Sequence, residues 1–102
     1  MTIVVTATIR PKPGLAEQVA AIYAEAAVDV HKEEGCELYA VHTNRDGVYL
    51  VEKWTNGAAL RTHAEGEGVR VIRARTADLV EGPTQAVIMK PYPESADGKG
   101  AV

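Results

Sequence analysis

Glu52 and Trp54 stand two residues apart in Glu52-Lys53-Trp54, and His63 follows nine positions after the tryptophan. An acid, an indole and an imidazole brought together can hold a small aromatic molecule and move a proton to or from it. Imidazole titrates near ~6.5 when unperturbed, which suits proton transfer at neutral pH. A carboxylate beside it would orient one ring nitrogen and favour the imidazolium. In an apolar pocket the carboxyl itself rises in pKa and can serve as acid or base. The indole N–H needs a partner if buried, and a ligand oxygen would serve.

Each of the three also has a plainer role. Glu52 can pair with Arg10, Arg61 or Lys53, Trp54 can be core, and His63 can be a hydrogen-bonded residue on an apolar stripe. Tyr39 and His42 are further candidates, but they have opposite parity on one strand, so at most one shares the Glu52 face. Cys36 reads as a small buried residue, or as one left partly exposed by its place just past a helix end. Arg70, Arg73 and Arg75 read as a solvated helix face, the alternative being that one of them reaches an anionic substrate.

The surrounding elements must bring the three together. Residues two apart on a strand share a face, so Val48 to Thr55 as a strand sets Glu52 beside Trp54. Ala58 to Glu65 reads as a helix in which Ala59, Leu60 and His63 lie on the inward stripe. Upstream, Thr2 to Arg10 alternates β-branched residues, with Ile3, Val5, Ala7 and Ile9 on one face, and ends at Pro11-Lys12-Pro13-Gly14. Leu15 to Glu33 carries Leu15, Val19, Ile22, Tyr23, Ala26 and Val30 at helical spacing, with Gly35 as its left-handed stop. His31, Lys32, Glu33 and Glu34 fall near that end.

Glu37 to Thr43 is a strand, and Asn44-Arg45-Asp46-Gly47 is the hairpin turn to the next. After Gly66 and Gly68 a second helical stretch places Val69, Ile72, Thr76, Leu79 and Val80 on one side, and Gly82-Pro83 stops it. Thr84 to Lys90 is the last strand. The order predicts an α+β fold of ferredoxin-like, split βαβ type (βαββαβ), an antiparallel sheet with helices on one face. Residues 1–92 form the domain, and residues 93–102, rich in Pro, Gly and charge, a flexible tail.

Composition narrows the function. The 102 residues carry a formal net charge of −3 with no long basic run, which argues against nucleic acid. One Cys and three His without ligand spacing give no zinc signature, and no glycine-rich nucleotide fingerprint is present. The opening run is too short to span a membrane, and a single cysteine suits a reducing compartment, so the reading is cytoplasmic. Val4, Tyr39, Val41, Tyr49 and Val51 are expected on the open face of the sheet. An apolar open face predicts a homodimer packed sheet against sheet.

Ile3 to Arg10, Lys12-Pro13-Gly14, Lys32-Glu33-Glu34-Gly35-Cys36 with Tyr39-Ala40, Glu52-Lys53-Trp54, and Ala59-Leu60 with His63 together resemble the antibiotic biosynthesis monooxygenase (ABM) domain family, nearest its quinol monooxygenase branch. The resemblance covers about residues 3 to 91. It implies a dimeric α/β barrel-like assembly with a pocket between sheet and helices. It further implies oxidation of a quinol or polyphenol by dioxygen without cofactor or metal. Trp54 and His63 fall on pocket positions, with Glu52 beside them, as the expected catalytic group. Tyr39, His42 and Ala7 are the expected substrate contacts. Ala7 stands where the haem-degrading branch carries an Asn. The scaffold also serves isomerases and ligand-binding proteins, so a non-catalytic dimeric module that binds a small aromatic or supports a partner enzyme is the alternative.

Overall fold

Seven elements are present in the computed structural model, which describes residues 1–92 and 98–102. In chain order they are β1 (Ile3–Ile9), α1 (Ala16–Val30), β2 (Cys36–Thr43), β3 (Val48–Trp54), α2 (Gly57–Ala64), α3 (Glu67–Thr76) and β4 (Gln85–Met89). The four strands form one sheet in the order β2-β3-β1-β4, and all neighbours are antiparallel. This is the expected ferredoxin-like α+β arrangement. The helical stretch after the hairpin is two helices, α2 and α3, parted at Gly66.

The core lies between the helices and one sheet face. Val5, Ala7 and Ile9 of β1 and Val48, Leu50 and Trp54 of β3 meet Val19, Tyr23 and Val30 of α1 and Ile72 of α3, all buried. Each large apolar side chain so buried contributes about 1.5–3 kcal/mol. α1 ends at Val30, three residues before the expected Glu33, and a turn carries the chain to Gly35. Gly35 has φ 83°, and a Cβ there would overlap the Ala59 side chain. The chain thus reverses tightly enough for α2 to rest on the turn.

The expected open face needs correction. Tyr39 pairs with Glu52 and Val41 with Leu50, so both lie on the helix-covered face. The hairpin sets this parity. Asn44 Oδ1 accepts from the backbone N–H groups of Asp46 and Gly47, each at 2.9 Å, and closes a turn in which Thr43 pairs with Val48. Counting outward from that pair puts Tyr39 and Val41 with buried Val48 and Leu50, because directly paired residues share a face. Leu38 and Ala40 take their place on the open face, opposite Lys53 and Val51. The open face is still apolar, with Val4, Tyr49 and Val51 as expected and Val87 and Met89 added from β4.

β4 pairs with β1 at one edge of the sheet, and its five residues are all exposed. The expectation of a flexible tail falls partly on residues 93–97, which lie outside the described residues. Beyond them, the Val102 backbone oxygen accepts from Lys53 Nζ at 3.0 Å. Among the described residues no helix is long and apolar enough to cross a membrane.

Candidate active site

α2 is short, so its placement depends on its ends and its one buried face. Asn56 caps it, its Oδ1 accepting from the Ala59 N–H at 2.8 Å. Ala59 and Leu60 pack against the core, and His63 is the buried residue of the helix. The expected stripe is therefore the one that faces inward. It lays the imidazole over the Trp54 indole, with ring centroids 4.5 Å apart and planes tilted by 31°. Tyr39 meets the same imidazole edge-on at 5.6 Å. His63 is 7% exposed.

Behind His63, the Trp54 Nε1–H donates to Glu52 Oε1 at 3.0 Å. Trp54 is 0% and Glu52 5% exposed. The indole N–H thus has an internal partner, and Glu52 is hydrogen-bonded to the indole, not ion-paired with Arg10, Arg61 or Lys53. Lys53 turns instead toward Glu37, 3.7 Å away. Burial pushes the Glu52 carboxyl up from its ordinary value; the Trp54 hydrogen bond and then the nearby His63 offset part of that, and Glu33 adds to it. Burial, then Glu52, pushes the Tyr39 phenol well above its ordinary value. A neutral phenol and a carboxyl biased toward its protonated form therefore sit under the imidazole.

In front of His63 stands Glu33, in the turn after α1. Its Oε1 lies 2.8 Å from His63 Nδ1, and its side chain is 30% exposed. Sequence reasoning placed Glu33 at the helix end but not in the site. The pointer lay in Gly35: a left-handed glycine bearing on Ala59 folds the turn onto α2, four residues before His63.

A cleft of about 1070 Å³ opens between α1, α2 and α3, with His63, Glu33, Gly35, Ala59, Ala26 and Val71 among its lining. Trp54, Glu52 and Tyr39 do not line it; they form the packed layer beneath its imidazole floor. Side chains fill the space between sheet and helices around Glu52 and Trp54, and the cleft at His63 opens among the helices. His42 does not join the group. It pairs with Tyr49 and is exposed on the other sheet face, as strand parity requires once Tyr39 faces Glu52. Ala7 is buried in the core opposite Leu50, away from the cleft.

The charged rim is mostly acidic. Glu25, Asp29, Glu34 and Glu67 join Glu33 there, against Arg75, which is held by Glu25 at 3.3 Å. A second hollow, of about 600 Å³, runs along β2 and α1 by His31, Cys36 and Tyr39. Burial, then Glu33, pushes the Cys36 thiol up, away from the nucleophilic thiolate. Among the described residues no group of three or more His, Cys, Asp or Glu side chains is arranged to hold a metal ion.

Comparison with known proteins bears on the whole of this architecture. Rv0793 from Mycobacterium tuberculosis superposes with a TM-score of 0.82 at 20% identity, covering 94% of this chain and 100% of that one. A crystal structure described as an antibiotic biosynthesis monooxygenase gives 0.78 at 21% identity, over 89% and 99% of the two chains. SO0527 from Shewanella oneidensis gives 0.72 at 26% identity, over 87% and 93%. No functionally curated protein matches. The model of one family, antibiotic biosynthesis monooxygenase, matches residues 2–75, a span that includes β1, the Glu33 turn, Glu52, Trp54 and His63. The chain belongs to the antibiotic biosynthesis monooxygenase family.

Proposed function

We propose that this protein is a cofactor-independent monooxygenase that oxidises a quinol or other polyphenolic small molecule with dioxygen. One observation carries the reading: a nearly buried imidazole forms part of the floor of an open cleft, stacked on Trp54 and held by Glu33. His63 takes the phenolic proton, and the resulting phenolate is rich enough in electrons to pass one to dioxygen. The superoxide and phenoxyl radical so formed recombine at a ring carbon. One oxygen atom stays on the ring as a new carbonyl, that carbon gives up its hydrogen, and the other oxygen leaves as water. A phenol plus dioxygen thus becomes a quinone plus water, and the substrate supplies all the electrons. Binding, deprotonation and shielding are then the protein's tasks.

The rim sharpens the substrate class. Five carboxylates against one engaged arginine favour a neutral or positively charged aromatic over a carboxylate-bearing one. The test is oxygen uptake with a panel of hydroquinones. His63→Ala should lower turnover by roughly 10²–10⁴-fold, the scale of a lost general base. Equal uptake by wild type and variant would sink His63 as the base.

The alternative, a non-catalytic dimeric module for a small aromatic or an accessory to a partner enzyme, draws on one feature. Glu52 and Trp54 are sealed beneath His63 and do not reach the cleft. Binding of hydroquinones without oxygen uptake would favour it.

The proposed working form is a homodimer, in the cytoplasm, where the free Cys36 stays reduced. Support comes from the apolar open face and from Val87, Ile88 and Met89, exposed on the edge strand β4. Val51→Asp should dissociate it, since an unpaired buried charge is costly. A wild type that sediments as a monomer at micromolar concentration would remove the dimer from the proposal.

A further inference from the structure

A neutral imidazole carries its proton on one ring nitrogen or the other, and free histidine in water favours Nε2–H. Which form a protein holds depends on the partner of the other nitrogen. Here a carboxylate oxygen of Glu33 lies 2.8 Å from Nδ1. A carboxylate can only accept, so Nδ1 must carry the proton. We propose that Glu33 is the positioning residue of this site: it holds His63 as the Nδ1–H tautomer and leaves Nε2 to take the substrate's proton. The consequence for turnover rests on the quinol oxidation proposed above; the tautomer does not.

Glu33 is itself held. Its backbone N–H donates to the Val30 carbonyl at 3.0 Å, and its carbonyl accepts from the Cys36 N–H at 3.1 Å. Its second carboxylate oxygen lies against Gly68, in the first turn of α3, where a Cβ would approach it to 3.3 Å. α3 has no side-chain cap at that end. The unpaired N–H groups and positive pole of a helix N-terminus favour a negative charge there. Gly68 thus leaves the space in which the carboxylate can face both the helix end and the imidazole.

No other neighbour duplicates this contact. From β3, Glu52 is bonded to the Trp54 indole, and from β2 Tyr39 meets the ring by its edge. At the rim, Glu67 is engaged by Arg70 and Arg75 by Glu25. Glu33 alone hydrogen-bonds the imidazole of His63 among the described residues.

The experiment is 15N–1H correlation of the imidazole nitrogens in the full-length protein at a pH where the ring is neutral, with His63 assigned by its absence from His63→Gln. Wild type should show Nδ1–H. Glu33→Ala should revert to Nε2–H, whereas Glu33→Gln, whose amide oxygen still accepts, should keep Nδ1–H. Gly68→Ala, which crowds the carboxylate without removing it, should shift the ring part of the way. In oxygen uptake, Glu33→Ala should lower kcat by roughly 10- to 100-fold with KM little changed, a smaller loss than removal of the base itself. Glu33→Gln should restore most of it. Nε2–H in wild type, or a tautomer unmoved by Glu33→Ala, would overturn the assignment. If wild type consumes no oxygen with any hydroquinone, the quinol reading falls while the tautomer still decides the role of Glu33.

Discussion

Glu33 and Glu52 both stand near His63, one from the turn after α1 and one from β3, and their surroundings differ sharply. Glu33 is partly solvated, touches the imidazole directly and sits at a helix N-terminus. Glu52 is sealed in the core, bonded to an indole, and biased by burial toward its neutral form. Two identical side chains are thus given different work by their depth and their partners. The outer one can orient the imidazole and follow changes in the cleft. The inner one is part of the packing, and its charge is a cost to the fold rather than a tool at the surface.

The largest effect should come from removing what holds the inner pair. Trp54→Ala takes a fully buried indole from under His63 and strips Glu52 of its partner. It should cost about 3–5 kcal/mol, the range for large aromatic truncations in cores. A loss in chemical denaturation no larger than that of a surface variant would mean that the inner layer is not core. Next is the hinge between the two acids. Gly35→Ala strains a left-handed backbone and overlaps Ala59, at a cost of roughly 1–3 kcal/mol or more. It should also separate Glu33 from His63, so His63 should lose the tautomer preference seen in wild type. Retention of that preference in a folded Gly35→Ala protein would show that the turn does not set the contact.

The smallest and most specific effect concerns charge at Glu52. A carboxyl raised on folding binds its proton more tightly in the folded state. The contribution of Glu52 to stability is then greatest at low pH, falls as pH rises from the ordinary value of 4.5 through the raised one, and levels off above it. Glu52→Gln can still accept from the Trp54 N–H and has no proton to lose. Its stability relative to wild type should grow over that same window. A constant difference from acid to neutral pH would show that Glu52 ionises freely where it lies.

The inner pair was legible from the chain, and the outer contact was not. Strand parity is a local rule, so Glu52 and Trp54 had to share a face, and helical spacing had to turn His63 inward. Both statements need only a few neighbouring residues. The Glu33–His63 contact joins positions thirty residues apart in sequence. It depends on how far α1 runs and on which way the Gly35 turn points, and no periodicity encodes either. Tyr39 and Val41 illustrate a different failure. Counting back from the Asn44-to-Gly47 turn would have placed them on the covered face; their hydrophobicity alone suits either side. The pocket was misplaced for a third reason. Sequence patterns mark which side chains turn inward but not whether the space between layers is filled, and here Tyr23, Trp54 and Ile72 help to fill it.

The sheet order has a consequence for how the chain reaches this state. β1 is an inner strand whose two partners are both distant in sequence: Ile9 pairs with Val48, and Thr8 with Gln85. During synthesis the hairpin of β2 and β3 can form early, from local contacts. β1 must wait for it, and β1's other edge stays unpaired until nearly the entire domain has left the ribosome. Closing such long loops is slow relative to local pairing, and exposed strand edges are where nascent chains associate wrongly. The step that limits the yield of folded protein should therefore be docking of the last strand, and chains cut short before Gln85 should depend on chaperones far more than the complete domain does.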